Sequence, residues 1–390
     1  MKKIIERLKA GVVSLIYKAA NLCLALLRNL IFFGAGMPKD ARSIIIFRKG
    51  NIGDIICAVP AMAAIRDNFP RAKITLLSTP GPKGAPGAEE ILTGASFLDE
   101  MIIYHQGEAQ DKNKLKEILR NLKAKAPDLF IELPQNQERM PRLLRDMALA
   151  RYLGAKYAFG FEVASLKIFG KAQSEHLRFD NEVVRLLKIL KKEGLKLKEP
   201  FFPLNIPEED KLAVRSFLIG KDISKLFVFN IGAKRQTNIW PLERFAEAGK
   251  WLISEYKAVI VIIGGKAERE SAENLKNMIG GPGVLVAAGA LTIMQTIELL
   301  KHCRLLISND TGAVHMASAV GVPVVGIYCA WQQRGKWYPF GQGNIVLRKE
   351  PVCHTCFKKE CDHLTCIKMI GVEEVKEAVQ RLSHSAEGRV

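Results

Sequence analysis

The segment "SNDTGAVH" joins an apolar run to a helix-forming stretch and carries several polar side chains at the junction. Asp310 or Thr311 can cap the helix, and Gly312 allows a ligand to approach the backbone closely. Helix N-termini bind diphosphates through their N–H groups and the helix dipole. His315 falls one turn further on, on the side that reaches the same ligand. The junction predicts a diphosphate site, whereas an ordinary capped helix would explain Asp310 and Gly312 but leave His315 unexplained.

Two further junctions carry side chains suited to a nucleotide. In "NIGAKRQTNIWP" a predicted strand ends at Gly232, and Lys234 and Arg235 follow in a loop. Arginine offers phosphate a bidentate fork and lysine a point charge. In "IIGGKAERE" Glu268 is placed to accept from ribose hydroxyls. The alternatives are a solvated basic loop and a carboxylate placed favourably at a helix N-terminus.

The segment "GNIGDIICAVP" follows the first predicted strand and lacks both the G-x-G-x-x-G and the G-x-x-x-x-G-K-[ST] patterns. It carries Asp54 where phosphate-binding turns usually keep glycine. A carboxylate at this turn either caps the following helix or acts as a base in a cleft.

The segment "CHTCFKKECDHLTC" places four cysteines within fourteen residues. Four thiolates suit a tetrahedral structural zinc ion, and an iron–sulfur cluster uses the same ligand number. The alternatives are reduced surface cysteines, or disulfides if the chain were exported. A zinc-finger module for nucleic acid is disfavoured, since the spacing leaves no room for a recognition helix. The predicted ligands are Cys353, Cys356, Cys361 and Cys366.

The elements that position these residues alternate between short apolar runs and amphipathic helical stretches. This alternation is typical of parallel sheets covered on both faces. It breaks at the proline-rich "KEPFFPLNIPEEDK" and then restarts, which predicts two doubly wound α/β domains with ligands in the cleft at the strands' carboxyl ends. The expected organisation is an amphipathic helical segment at 1–40, one domain at 41–205, a second at 206–350, and a cysteine-rich segment with a terminal helix at 351–390.

Composition and the N-terminus constrain partners and location. The 390 residues carry a formal net charge of +18, which favours anionic partners of several kinds. Residues 1–33 form an apolar helical pattern with a narrow polar stripe that includes Lys18, Asn21 and Arg28. These charges favour a helix lying in the membrane interface over one that spans it. The alternative is a helix packed on its own protein or on a dimer partner. No signal-peptide cleavage pattern is evident, so we expect a cytoplasmic protein peripheral to the inner membrane.

The four motifs "GNIGDIICAVPAMAAIR", "NIGAKRQTNIWPLERFAE", "IIGGKAERE" and "SNDTGAVHMASAVGVPVVGIY" occur in an order that resembles glycosyltransferase family 9, the ADP-heptose:lipopolysaccharide heptosyltransferases. The resemblance extends over roughly residues 43–385. It implies a GT-B fold, in which two Rossmann-like domains face a central cleft. The first domain would bind the acceptor and the second the sugar nucleotide. It also implies a C-terminal helix, here "GVEEVKEAVQRLS", that packs back on the N-terminal domain.

The resemblance assigns roles to individual residues. Asp54 matches the acid proposed as general base, which would remove the proton of the acceptor hydroxyl during inverting transfer. Many family members carry a lysine two residues before the Trp-Pro of the second motif, at a position occupied here by Asn238. We therefore expect Lys234 or Arg235 to supply the missing charge, or donor binding to be altered. The acceptor candidates lie in "LPQNQERMPRLLR" and are Gln135, Arg139 and Arg142, although a solvated basic helix would show the same pattern.

The expected function is inverting, metal-independent transfer of a heptose or related sugar from a nucleotide sugar, with ADP-heptose as the default donor. The acceptor would be a lipopolysaccharide core or another glycolipid or phosphorylated oligosaccharide, and the N-terminal helix would contact the inner face of the membrane. No catalytic cofactor is expected, and zinc would have a structural task. The alternative is a non-catalytic protein that binds nucleotide sugars or polyanions. A nicotinamide-dependent oxidoreductase is disfavoured because no G-x-G-x-x-G follows a strand.

Overall fold

The computed structural model describes residues 2–135, 140–163, 179–358 and 360–387 of the chain. The chain forms two compact units, Met1–Asn205 and Ile206–Val390. The division falls between Pro203 and Pro207, where prolines remove backbone N–H donors and discourage regular structure.

The first unit is built on five strands: β1 (Ser43–Lys49), β2 (Lys73–Thr79), β3 (Glu100–Ile103), β4 (Leu129–Glu132) and β5 (Tyr157–Phe159). They form one parallel sheet in the order β3-β2-β1-β4-β5. In the central strand, Ile45 lies opposite Thr75 on one side and Phe130 on the other. The five inner residues of β1 are all buried, as expected for a strand with both faces covered.

The helices of the first unit are α1 (Lys2–Ile31), α2 (Ile52–Asn68), α3 (Ala88–Leu92), α4 (Lys112–Ala124), α5 (Met140–Tyr152) and α6 (Glu182–Lys192). Helix α2 is buried along most of its length and packs against α6 and β1. Helix α6 is amphipathic, and the side chain of Asn181 caps it by accepting from the Val183 N–H at 3.1 Å. These contacts fix the first turn of α2, which carries Asp54.

Two residues of the polar stripe bind helix α1 to the rest of the first unit. The amide of Asn21 exchanges two hydrogen bonds with the backbone of Val163, at 2.8 and 3.2 Å. The guanidinium of Arg28 pairs with Glu193 at 2.6 Å and lies over the ring of Tyr157. The expectation that the stripe faces lipid headgroups is therefore wrong for Asn21 and Arg28, because their polar groups are bound by the protein.

The side of α1 that faces away from the first unit is apolar. By length and composition alone, Gly11–Ile31 could also cross a membrane, and only 11% of its most apolar window is buried within the protein. Leu15 is 70% exposed and Leu30 is 73% exposed, whereas Leu24 on the docked side is fully buried. The exposed apolar residues recur at helical spacing, and this set will be called the outer stripe: Leu8, Val12, Leu15, Leu22, Leu26 and Leu30.

The second unit is built on six strands: β6 (Leu226–Asn230), β7 (Val259–Ile263), β8 (Val284–Val286), β9 (Leu305–Asn309), β10 (Val324–Tyr328) and β11 (Asn344–Arg348). They form a parallel sheet in the order β11-β10-β9-β6-β7-β8. The chain runs outward from β6 to one edge and then from β9 to the other. The neighbours β6 and β9 therefore define the switch point at which doubly wound sheets bind ligands.

The helices of the second unit are α7 (Glu208–Phe217), α8 (Leu242–Tyr256), α9 (Arg269–Ile279), α10 (Ile293–Lys301), α11 (Gly312–Ala319), α12 (Thr365–Lys368) and α13 (Val372–Glu387). Val375 and Val379 of α13 are buried in the same core as Trp240, whose indole N–H donates to the Ile370 carbonyl at 2.9 Å. The apolar face that carries Val375 and Val379 is covered by α8, β10 and β11 of the second unit. Packing of this helix back on the N-terminal domain stays a prediction.

Candidate functional site: the switch point of the second unit

The junctions after β6 and β9 meet at the switch point. The side-chain amide of Asn230, at the end of β6, donates to Thr311 Oγ1 at 2.9 Å and to Ser308 Oγ at 3.1 Å. The amide of Asn309, at the end of β9, donates to the Ile231 carbonyl at 2.6 Å. Asparagine at each strand end thus joins two loops that are about 80 residues apart in the chain.

Thr311 is the N-cap of α11, and its Oγ1 accepts from the Ala313 N–H at 3.2 Å. Gly312 is the first helical residue, so the chain presents no side chain beyond Cα at that turn. The first turn of α11 thus combines backbone N–H groups with the positive end of the helix dipole at the switch point. This arrangement suits an anion such as a diphosphate.

His315 lies one turn into α11 and is buried. Its ring meets the ring of Trp337 edge-on, with 6.0 Å between the centroids. The sequence prediction placed His315 towards a ligand. This packing accounts for its burial, and its part in donor binding stays a prediction.

Glu268 lies across the junction that follows β6. Its carboxylate accepts from the Gly265 N–H at 2.8 Å, and a Cβ added at Gly232 would lie 2.6 Å from Glu268 Cγ. Gly232 therefore leaves the space that Glu268 occupies. The junctions after β6 and β7 are brought together in this way, with a partly accessible carboxylate beside the anion-binding turn.

Asp310 is a carboxyl group in an unusual environment. Burial raises its pKa to about 7, although Arg348, Arg235 and a hydrogen bond with Gln332 act in the opposite direction. Asp310 as a whole residue is only partly buried, but its carboxyl is desolvated by the surrounding protein. Sequence reasoning missed Arg348 and Gln332, because they lie on β11 and in the loop after β10. Only the strand order β11-β10-β9 brings them to Asp310.

The guanidinium of Arg235, a group that can bind an anion, packs against an aromatic ring. Its guanidinium carbon lies 3.4 Å from the centre of the Trp331 ring. Burial lowers the pKa of Arg235. Among the described residues, its Nη1 atom is buried and has no hydrogen-bond partner. Lys234, the neighbouring candidate, is exposed, so Arg235 is the better organised of the two cations.

Asn238 is buried, and both ends of its side-chain amide are bound within the protein. Its Nδ2 donates to Asp310 Oδ2 at 3.4 Å, and its Oδ1 accepts from the Cys329 thiol at 3.0 Å and from Thr237 Oγ1 at 3.3 Å. The structure gives Asn238 a bridging position between Asp310 and Cys329. Direct contact between Asn238 and a donor stays a prediction.

Asp54, in the first unit, occupies the third position of α2, where its carboxylate accepts from the Asn51 N–H at 3.2 Å. Gly50 has a φ of +130°, and a Cβ at that position would lie 2.3 Å from Asp54 Cβ. Gly50 is thus required for the Asp54 side chain to take its place. The N-cap of α2 is Asn51, so the alternative prediction of Asp54 as the N-cap is wrong; Asp54 instead completes a capping box from the third position. The base role stays a prediction.

A buried ionic network supports the Asp54 turn. Arg48 is fully buried on β1 and donates to the Asp54 carbonyl at 2.8 Å. Its charge is balanced by Glu182 at 3.2 Å, and it lies 3.7 Å from Asp54 Oδ1. Arg185 binds Glu182 at 2.7 Å. The network places positive charge beside Asp54, and β1 and α6 hold it in position.

The acceptor candidates are only partly described. Gln135 is partly buried just after β4, and Arg142 is exposed on α5. Arg139 lies outside the described residues. The structure therefore brings neither Gln135 nor Arg142 into a defined site, and all three assignments stay predictions.

The four cysteines of the cysteine-rich segment (353–366) line one cavity together with His354 and Cys329. Among the described residues, no three His, Cys, Asp or Glu side chains are already arranged around a common point as metal ligands. The interaction between the Cys366 and Cys329 thiols lowers the pKa of Cys366 to about 6 and raises that of Cys329. The four predicted metal ligands therefore line one cavity, and their binding of a metal ion stays a prediction.

The sequence profile of glycosyltransferase family 9 (heptosyltransferase) matches residues 116–367, which is more than half of the chain. The chain belongs to this family. Membership of a glycosyltransferase family makes the protein a glycosyltransferase, and the resemblance inferred from the four motifs is confirmed.

Individual glycosyltransferases support the family assignment. Lipooligosaccharide heptosyltransferase 2 of Campylobacter jejuni is 24% identical over 277 residues, covering 65% of this chain and 86% of that protein. The crystal structure of a family 9 glycosyltransferase from Veillonella parvula has a TM-score of 0.72 at 22% identity, covering 89% of this chain and 99% of that chain. Escherichia coli heptosyltransferase WaaC with ADP-2-deoxy-2-fluoro heptose has a TM-score of 0.61 at 17% identity, covering 87% and 99%.

The solved structures establish the fold of this glycosyltransferase as GT-B, with two Rossmann-like α/β domains. The predicted fold class is therefore confirmed. At these identities the solved structures show the fold alone.

Proposed function

We propose that this glycosyltransferase transfers a heptose or related sugar, with inversion, from a nucleotide sugar to a lipopolysaccharide core or related glycolipid. The observation that carries the proposal is the junction of β6 and β9, where Asn230 and Thr311 join two loops at the N-terminus of α11. ADP-heptose is the proposed donor because the related WaaC structure contains an ADP-heptose analogue. The relative from Campylobacter jejuni, a lipooligosaccharide heptosyltransferase, supports the acceptor class.

The donor diphosphate would bind the N-terminus of α11. The backbone N–H groups of the first turn and the helix dipole offset two negative charges. The guanidinium of Arg235, stacked on Trp331, supplies the cation that the family's lysine would otherwise provide. Glu268 would accept from a ribose hydroxyl. Since these groups can stabilise the departing nucleotide diphosphate, the proposed transfer needs no metal ion at the reacting carbon.

Asp54 would be the general base. An acceptor hydroxyl is a weak nucleophile, and removal of its proton during attack lowers the barrier. Attack on the anomeric carbon from the side opposite the diphosphate inverts the configuration in one displacement. The hydroxyl oxygen forms the new glycosidic bond, the bond to the diphosphate breaks, and Asp54 takes the proton. Arg48, fully buried between Glu182 and the Asp54 backbone, would hold the carboxylate in position.

The outer stripe of α1 would place the enzyme on the inner face of the cytoplasmic membrane. An apolar helical face that lies flat in the headgroup boundary buries its side chains without spanning the bilayer. Asn21 and Arg28 bind the first unit, so the opposite face of the helix is available to lipid. The net charge of +18 would add attraction to anionic headgroups.

The cysteine-rich segment would hold a structural zinc ion. Cys353, Cys356, Cys361 and Cys366 form a donor set of the tetrahedral type, and all four line the same cavity. The ion would brace this segment and take no part in the transfer.

The donor assignment is tested by thermal stabilisation with ADP, UDP, GDP and CMP, each compared with its sugar-linked form. A ligand that binds only the folded protein raises its melting temperature. We expect ADP and ADP-linked sugar to stabilise the protein, and we expect Thr311→Val to remove the effect while Thr311→Ser retains it. Stabilisation by another nucleotide alone would contradict the ADP assignment. Binding without any transfer to lipopolysaccharide core acceptors would favour a non-catalytic binding protein.

A further inference from the structure

Residues 329–331, which follow β10, lie between the cysteine-rich segment and the loop that would bind the donor phosphates. On one side, the Cys329 thiol contacts Asn238 at 3.0 Å, and the Trp331 ring supports the guanidinium of Arg235 at 3.4 Å. Two side chains of this short segment therefore reach two different residues of the donor loop (234–238). Both contacts lie within the second unit.

On the other side, the same residues are fastened to the cysteine-rich segment. The Thr355 N–H donates to the Ala330 carbonyl, and the Phe357 N–H donates to the Trp331 carbonyl at 2.9 Å. The rings of Trp331 and Phe357 meet edge-on with 6.1 Å between centroids, and Cys329 and Cys366 line the same cavity. Two backbone hydrogen bonds and an aromatic pair thus tie residues 329–331 to the segment that carries the four cysteines.

The cavity lined by the four cysteines also borders the donor loop, since Thr237 contributes to its wall. Asn238 continues the connection, because its Oδ1 accepts from Cys329 and its Nδ2 donates to Asp310 at the N-terminus of α11. A lysine at position 238 would have no acceptor atom for the Cys329 thiol. Asn238 provides the acceptor that this thiol uses.

We propose that Cys329 is a positioning residue that makes nucleotide binding depend on the state of the cysteine-rich segment. Closure of Cys353, Cys356, Cys361 and Cys366 on a metal ion would fix residues 329–331. With these residues fixed, Asn238 would be held against Asp310, and Arg235 would be held over the donor phosphates. The inference rests on the proposed nucleotide site and adds a regulator to it. The regulating ligand is a thiophilic divalent cation, for which zinc is the probe.

The first test measures ADP affinity by isothermal titration calorimetry on full-length Cys329→Ala and Cys329→Ser, with metal content determined for each. Cys329→Ala leaves the buried Asn238 carbonyl without its thiol donor, so we expect ADP binding about tenfold weaker. Cys329→Ser keeps a donor and should bind nearly as well as the wild type. Cys303→Ala, at another buried free cysteine of the same unit, is the matched control and should bind normally.

The second test substitutes two of the predicted metal ligands instead of Cys329. Zinc added to metal-free, reduced wild-type protein should strengthen ADP binding, and Cys353→Ser/Cys356→Ser should bind ADP weakly with or without zinc. In Cys329→Ala, zinc should bind and leave ADP affinity unchanged. Zinc binding without any change in the ADP affinity of the wild type would overturn the inference, as would equal losses in Cys329→Ala and Cys303→Ala.

The two tests separate this inference from the proposed function. If the wild type binds another nucleotide but not ADP, the donor assignment fails, and the same variants are then compared with that nucleotide. If nucleotide binds and Cys329→Ala binds it like the wild type, the inference fails alone. Should the double cysteine variant fail to fold, the Cys329→Ala and Cys329→Ser pair still decides the outcome, since both leave the four predicted ligands intact.

Discussion

Asp54 owes its position to a glycine and to a buried arginine. Gly50 has a positive φ and leaves the space in which the Asp54 side chain lies, while Arg48 on the central strand β1 donates to the Asp54 carbonyl. Sequence inspection singles out Asp54 because a carboxylate is unexpected in that turn. It gives no hint of the partnership between Arg48 and Glu182, which lie 134 residues apart in the chain.

Gly50→Ala is predicted to displace Asp54. The new Cβ would lie 2.3 Å from Asp54 Cβ, and the positive φ would add backbone strain. We expect the free energy of unfolding to fall by about 1–3 kcal/mol and transfer activity to be lost. Gly81→Ala is the matched control, since Gly81 also has a positive φ of +106° but its added Cβ would meet nothing within 4 Å. Equal activity in the two variants would contradict the positioning of Asp54 by Gly50.

Asp310 is predicted to make stability fall as the pH rises. Its pKa is about 7 in the folded protein and near 4 when unfolded, so the folded state binds more protons between these values. The free energy of unfolding should therefore decrease from about pH 4 to about pH 7 and lose this dependence above pH 7.

The measurement is the melting temperature of the wild type and of Asp310→Asn between pH 5 and pH 8. We expect the melting temperature of the wild type to fall further over this range than that of the variant. Each kcal/mol of lost stability lowers the melting temperature by about 2–4 °C. Parallel curves for the two proteins would show that the Asp310 carboxyl is not held in its neutral form.

At the scale of the elements, α1 is bound to the first unit by polar side chains and turns its apolar outer stripe away from it. Helical periodicity predicts the helix itself and its two faces correctly. It cannot predict which face meets the protein, because Val163, Glu193 and Tyr157 become partners of the polar face only after β5 and α6 are in place.

Leu22→Glu/Leu26→Glu is predicted to release the protein from membranes while leaving its fold intact. Both side chains are exposed, so folding does not need them. Each leucine that enters lipid contributes about 1.5–3 kcal/mol, and the pair should lower partitioning by more than tenfold. Co-sedimentation with vesicles of phosphatidylethanolamine and phosphatidylglycerol measures the effect. Leu212→Glu/Ile219→Glu changes two exposed apolar residues of the second unit and should leave sedimentation unchanged.

At the scale of the whole molecule, alternating strand and helix patterns predict the two parallel sheets, and the polar strand ends predict which junctions matter. This works because the carboxyl ends of parallel strands meet at one edge, so Asn230 and Thr311 can be placed together from the strand order alone. Arg348 and Gln332 were missed because the sequence does not show that β11 and the loop after β10 lie beside the end of β9. The packing of α13 also depends on a tertiary partner, the buried Trp240.

The two units carry residues with different proposed roles, and this gives a specific prediction for the reaction. Asp54 belongs to the first unit, whereas every residue proposed to hold the nucleotide belongs to the second. Loss of the base should therefore reduce the rate of transfer and leave nucleotide affinity intact. Loss of a donor residue such as Thr311 should reduce affinity.

The most direct measurement is the single-turnover rate and the ADP affinity of Asp54→Asn, with Asp67→Asn as control on the same helix. Asp67 forms a surface ion pair with Lys198 and should be dispensable. We predict that Asp54→Asn transfers the sugar about 10²–10⁴-fold more slowly, the usual contribution of a general base, and binds ADP as tightly as the wild type. Transfer by Asp54→Asn at the rate of the wild type and of Asp67→Asn would contradict the account.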